Sequence, residues 1–405
     1  MLATYVGNGL RRREVHSTQA RSDIAATMSF RYSDDNGRKW SPFQRLNGSE
    51  DLKQNGNGQE QLYCAAHYDT VSGQTIDVMY QRIFLGDVEK ALAGGFRGQM
   101  NYFDHGFYRL SDNAGRTWTE YRQLIYEKGA PFNATNWADP GFLKANQCAV
   151  GSSVISLADG RIAHPAGVPV RYEENTEDRK VLARVPWMDA GKGHVPGVLC
   201  FFGTWNRKKN DYDWTHSRPM FVPRRVSTRG LEEPALAQFK DGTLMLSMRG
   251  SNARLNPETF PSRTWISLSK DGGNTWSAVT DLRYDTGEQF YSPAAFSRLW
   301  RSSKTGKLYW VGDISRTPPK GNNPRYPLCI AEVDEGRKAL KKGTLTVIDD
   351  RGPTDTTELQ LSNFSLLENR ETKDLEILLT RYGERADSVY SGDVYKYTLE
   401  LFDSK

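Results

Sequence analysis

The sequence predicts an all-β fold, a six-bladed β-propeller of four-stranded antiparallel blades in which the first blade is incomplete. Two observations carry that prediction. The pattern S-x-[DN]-x-G-x-x-W occurs three times, at Ser33–Trp40, Ser111–Trp118 and Ser269–Trp276. A second kind of turn alternates with it, at Leu157–Ile162 and Phe239–Leu244, where Asp-Gly sits between apolar runs. Self-similarity at a fixed period is the mark of repeat architectures.

The chemistry of the first turn is local. A short Asp or Asn side chain accepts hydrogen bonds from its own turn's N–H groups. The Gly permits positive φ, and the Trp buries a large apolar face. Alternating or apolar runs such as Met28–Tyr32 and Trp265–Leu268 precede the copies, so each reads as strand, turn, strand.

The second turn sets the period. Weaker equivalents lie at Thr70–Gln74, Ser303–Leu308 and Glu371–Leu375. The steps from Gly73 to Gly160, Gly242, Gly306 and Lys373 are 87, 82, 64 and 67 residues, one unit of four strands with long loops. Decayed copies of the first turn are expected at Phe202–Trp214 and Glu332–Gly336. Five hairpins imply five complete units. Met1–Tyr5 reads as a strand that follows such a hairpin, so the first blade is expected to lack its innermost strand unless Asp393–Leu399 supplies it. The whole chain, 1–405, is read as one domain.

Composition narrows the function. Hydrophobic residues are 38 % and charged residues 25 %, with a net charge of +5, which describes a soluble globular chain with a mildly basic surface. No interleaved basic-aromatic run argues for nucleic acid, and no segment is long enough to span a membrane. Cys64, Cys148, Cys200 and Cys329 are scattered and form neither a metal-ligand pair nor a disulfide framework. No cofactor or metal is called for, and a monomer is expected. No signal peptide opens the chain, which suits the cytoplasm, or a secreted or periplasmic protein whose N-terminus is trimmed.

These turns on propeller hairpins resemble the Asp-box (BNR) repeats of sialidases, and the resemblance spans nearly the whole chain. Ser152–Pro165 and Glu233–Leu244, ending at Arg249, are similar to characteristic stretches of that family. The resemblance implies a hydrolase acting on terminal acidic sugars of glycans. Glu233 is similar to the glutamate that activates a tyrosine nucleophile. Arg249 is similar to an arginine that binds the sugar carboxylate, as is Arg325, with Arg316 as its competitor. Asp23 takes the place of the acid/base aspartate. Forked guanidinium bonds suit a carboxylate, and a tyrosine needs a nearby base to attack.

The chain departs from the family pattern at two places. The first carboxylate-binding arginine has no direct counterpart; the Arg11–Arg13 run is expected to be a solvated loop, with compensation for that arginine as its alternative. Leu361 occupies the tyrosine position of Gln360–Leu367 and cannot attack, which leaves Tyr291 as the substitute. Two alternatives follow. One is a propeller polysaccharide lyase using His67, His105 or His164 on uronates. The other is a carbohydrate-binding propeller without catalysis.

Overall fold

A computed structural model describes residues 1–18, 27–46, 53–88, 90–91, 102–149, 151, 153–185, 193–385 and 392–402. Asp23 lies outside the described residues.

Six antiparallel sheets form a six-bladed β-propeller fold. The first sheet contains β1 (Leu2–Tyr5), β2 (Arg12–Thr18), β3 (Thr27–Ser33) and β4 (Gln44–Leu46), in that order. The second runs through β5 (Lys53–Gln54), β6 (Asn57–Tyr68), β7 (Thr75–Phe84), β8 (Tyr102–Ser111) and β9 (Arg122–Gln123). The third holds β10 (Ile155–Ser156), β11 (Ile162–Arg171), β12 (His194–Asn206) and β13 (Asp211–His216). The fourth holds β14 (Glu232–Gln238), β15 (Leu244–Arg249), β16 (Thr264–Ser269) and β17 (Thr280–Asp281). The fifth holds β18 (Arg298–Arg301), β19 (Leu308–Asp313), β20 (Leu328–Asp334), β21 (Ala339–Leu340) and β22 (Thr346–Asp349), which also pairs with β20. The sixth has β23 (Gln360–Glu368), β24 (Leu375–Tyr382) and β25 (Val394–Leu399). Short helices α1 (Pro140–Leu143) and α2 (Thr176–Ala183) lie between strands. Among the described residues no helix is long and apolar enough to cross a membrane.

The first sheet corrects the expectation of an incomplete blade. It has four strands, and Leu2–Tyr5 is its first edge strand rather than its second. The missed hairpin is Val6–Arg11, closed by Val6 N–H to the Arg11 carbonyl at 3.0 Å, with Gly7 at φ 83°. Its signal was the Asn8-Gly9 dipeptide. The short sheet is the sixth, where β25 pairs with β24 and so belongs to the last blade.

The repeated turns close as their chemistry requires. Ser33 Oγ accepts from Gly37 N–H at 2.8 Å, and Asp35 Oδ1 accepts from Lys39 N–H at 2.8 Å. Ser111 and Asn113 repeat this with Gly115 and Thr117, and Ser269 and Asp271 with Gly273 and Thr275. The glycines sit at φ 89°, 73° and 95°. The decayed copies fall at equivalent places, between β12 and β13 and between β20 and β21. The second turn joins β6–β7, β10–β11, β14–β15, β18–β19 and β23–β24.

Two compact units divide the chain. One comprises residues 4–194 and 199–219; the other comprises 1–3, 195–198 and 220–405. In the first, Ile76, Val78 and Tyr80 of β7 pack with Ile162, Leu199 and Phe201 from the next sheet. In the second, Met245 and Ile266 pack with Trp310 and Cys329, and Val311 and Ile330 pack with Leu361, Phe364 and Leu379.

In the last of the second turns Lys373 takes the glycine's place at φ 64°. A left-handed residue with a Cβ costs about 1–2 kcal/mol, partly offset by the chain entropy that glycine loses. Lys373→Gly should raise the urea midpoint at constant m by roughly 0.5–1 kcal/mol of stability.

Candidate functional site

The site grows from a property of antiparallel hairpins: the start of the first strand and the end of the second meet at one end of the sheet. In the fourth sheet this pairs Glu232 with Arg249. In the sixth it pairs Gln360 with Tyr382. In the fifth, β19 runs out at Asp313, opposite Leu328.

Glu233 sits on a bulge between Glu232 and Ala235, with φ 47°. A left-handed non-glycine residue is uncommon, and one directly before a proline is also disfavoured sterically. Strain of this kind persists only where the surroundings over-determine it, and it collects at functional sites. Here the surroundings are cationic. Arg249 Nη1 lies 2.8 Å from Glu233 Oε1, and Arg249 Nε lies 3.6 Å from Glu232 Oε2. Arg229 Nη2 donates to Glu232 Oε1 at 2.9 Å. Burial alone would push the Glu233 carboxyl up, but Arg249, then Arg325 and Arg229, hold it below the usual carboxylate range. Its side chain is still 32 % exposed, whereas that of Arg249 is 9 % exposed.

Arg325 comes to the cluster from the loop before β20. Its Nη1 donates to Gln360 Oε1 at 2.8 Å and its Nη2 to the Ala294 carbonyl at 2.5 Å. Arg316, the competitor, instead pairs with Asp350 and is largely exposed. The structure therefore brings together Glu233, Arg249 and Arg325 from the expected set. Three guanidinium groups, those of Arg229, Arg249 and Arg325, thus gather around Glu233.

Tyr291 has its own partners. It bridges to Ser315, and its ring lies 5.9 Å from the Arg263 guanidinium. Leu361 is a core residue, fully buried with Phe364 and Leu379. Two neighbours of the cluster escaped the sequence reading. Tyr382 is the cross-strand partner of Gln360, so the two side chains share a face of the sheet. Asp313 is 2 % exposed, and neither carboxylate oxygen has a hydrogen-bond partner. Burial pushes its pKa well up, against the pull of Arg325. Register alone places both residues, and no local motif announces them.

The three histidines have separate partners. His67 Nε2 lies 2.8 Å from Ser156 Oγ. His105 is buried and stacks on Phe142 at 4.1 Å. His164 is buried with Nε2 2.7 Å from the Tyr80 hydroxyl. Burial brings both buried rings down to about 4.

No protein-family model and no curated protein matches the chain. Solved structures do. The NanB sialidase from Streptococcus pneumoniae aligns with a TM-score of 0.61 at 12 % identity, covering 99 % of this chain and 68 % of that one. Hadza microbial sialidase Hz136 gives 0.59 at 14 % identity, covering 99 % and 65 %. The chain has a sialidase-like propeller fold. A protein of unknown function from Dyadobacter fermentans matches this sialidase-like propeller at 0.58 and 13 % identity, covering 99 % and 94 %. Likeness at such identity carries the fold alone.

Asp313 yields a stability test. A carboxyl whose folded pKa is raised binds its proton more tightly in the folded than in the unfolded chain. Its stabilising contribution is complete below the unfolded value and falls as pH rises above it. Asp313→Asn should therefore gain stability relative to the parent as pH rises from about 4 to 7. Urea midpoints measured across that range check the sign. A variant that loses ground as pH rises would show an ionised, paired Asp313.

Proposed function

We propose that the chain is an exo-acting glycoside hydrolase that removes terminal acidic sugars of the sialic acid type from glycans. The observation that carries this reading is Glu233, held in a left-handed conformation before Pro234 amid three guanidinium groups. A gathering of guanidinium groups suits one substrate carboxylate. Arg249 and Arg325 bind that carboxylate by forked hydrogen bonds. Glu233, ionised and one-third exposed, draws the proton from the attacking hydroxyl. By its resemblance to the family's acid/base aspartate, Asp23 is the candidate acid for the leaving oxygen. The attacking hydroxyl belongs to Tyr382 rather than Tyr291, because Tyr382 shares a sheet face with the Gln360 that holds Arg325. That several structural neighbours are sialidases agrees with this chemistry.

The test is release of 4-methylumbelliferone from its sialoside, against a glucuronide and a neutral glucoside. Turnover of the sialoside is expected, and Glu233→Gln should lower kcat by about 10²–10⁴-fold. Tyr382→Phe should fall by a comparable factor, while Tyr291→Phe stays within a few-fold. The limb of kcat/KM set by Glu233 should lie below the usual carboxylate range, since its neighbours favour the ionised form. A folded protein that turns over no glycoside, and whose glycan binding survives Glu233→Gln, would instead be a carbohydrate-binding propeller.

A further inference from the structure

The Arg11–Arg13 run is not a solvated loop. Arg12 and Arg13 open β2 and are 4 % and 2 % exposed. Period-two alternation sends their side chains to opposite faces. Arg12 Nε and Nη2 reach Asn36 Oδ1 at 2.7 Å and the Tyr5 hydroxyl at 2.9 Å, and so brace the first repeated turn. Arg11 and Arg13 face the other way, into a cleft of about 460 Å³ that Arg109 and Arg116 also line.

Those four guanidinium groups form two triads, each sharing one aspartate. Arg13 grips Asp77 with both terminal nitrogens, at 2.8 and 2.6 Å, while Arg109 donates Nε and Nη2 to Asp77 Oδ2 at 3.0 and 2.9 Å. Arg11 Nη1 donates to Asp34 Oδ1 at 2.5 Å, and Arg116 Nη2 stands 3.6 Å from the same oxygen. Each triad holds two positive charges and one negative, so the cleft carries two positive charges without counter-charge. Burial raises the cost of the charge at Arg13, Arg109 and Asp77, whereas Arg116 and Asp34 face solvent. Two N–H groups also lack acceptors: the Nε atoms of Arg13 and Arg11 are buried without a hydrogen-bond partner.

The remaining wall is aromatic. Trp118 lies 4.5 Å from the Arg109 guanidinium, and Tyr63 lies 5.6 Å from that of Arg13. Both rings line the cleft. They offer flat apolar faces beside the charge, and the volume suits a single small molecule rather than a polymer.

We propose that this cleft binds a small ring compound carrying a dianionic or monoanionic oxyanion ester, a phosphate or a sulfate, with the ester between the Arg11 and Arg13 triads and the ring on Trp118. It is built from residues 11–118 and shares no residue with the Glu233 cluster. Guanidinium forks match tetrahedral oxyanions.

Isothermal titration of the full chain at low salt tests this with phenyl phosphate, phenyl sulfate, inorganic phosphate and phenyl glucoside. An ester should bind at least about tenfold more tightly than inorganic phosphate or the neutral glucoside, and the better ester names the anion. Arg11→Met with Arg116→Met removes two cations without touching Asp77. That variant should melt as the parent does and weaken ester binding about tenfold or more. The proposal is overturned if neither ester binds below about 10 mM, if the neutral glucoside binds as well, or if the double variant binds unchanged.

Discussion

A sheet of three to five short strands cannot bury either face by itself, and this constraint organises the molecule. Every core cluster described above draws residues from two neighbouring sheets. Ile76 and Val78 need Leu199 and Phe201; Val311 and Ile330 need Leu361 and Leu379. The strands therefore serve packing along their length, and polar chemistry is pushed to their ends. The cluster around Glu233 is a set of strand ends: the start of β14, the end of β15, the loop into β20 and the start of β23. The cationic cleft follows the same logic, since Arg13 is the second residue of β2 and Arg109 lies near the end of β8.

Electrostatics then separates the roles of three carboxyl groups. Asp77 is fully buried, yet burial is outweighed by Arg13 and Arg109, which keep it ionised below the usual range. Glu233 is held ionised in the same way by Arg249, Arg325 and Arg229. Asp313, with no hydrogen bond and one nearby guanidinium, is driven to the neutral form. Only Glu233 combines charge with exposure, which makes it the group able to take a proton from a bound molecule.

Much of the fold was legible because turns are local. Ser, Asp or Asn, Gly and Trp at fixed spacing specify their own hydrogen bonds, and Asp-Gly pairs mark the hairpins β10–β11 and β14–β15. Val6–Arg11 was missed because its Asn8-Gly9 turn stands at the very start of the chain, where the preceding strand is only Leu2–Tyr5. Glu233, Arg249 and Arg325 were legible through resemblance. Tyr382 and Asp313 were not, because each owes its place to cross-strand register, a pairing over roughly twenty residues that no local pattern encodes. The burial of Arg13 was hidden for a like reason: its partner, Asp77, lies 64 residues away.

The central claim is that the arginines around Glu233 bind a substrate carboxylate. The most direct measurement is calorimetric binding of an unsaturated sialic acid analogue and of its methyl ester, which differ only in the carboxylate charge. The account predicts that the free acid binds at least about tenfold more tightly, and that Arg249→Met removes the difference. Equal affinities for acid and ester, or a preference that survives Arg249→Met, would contradict it.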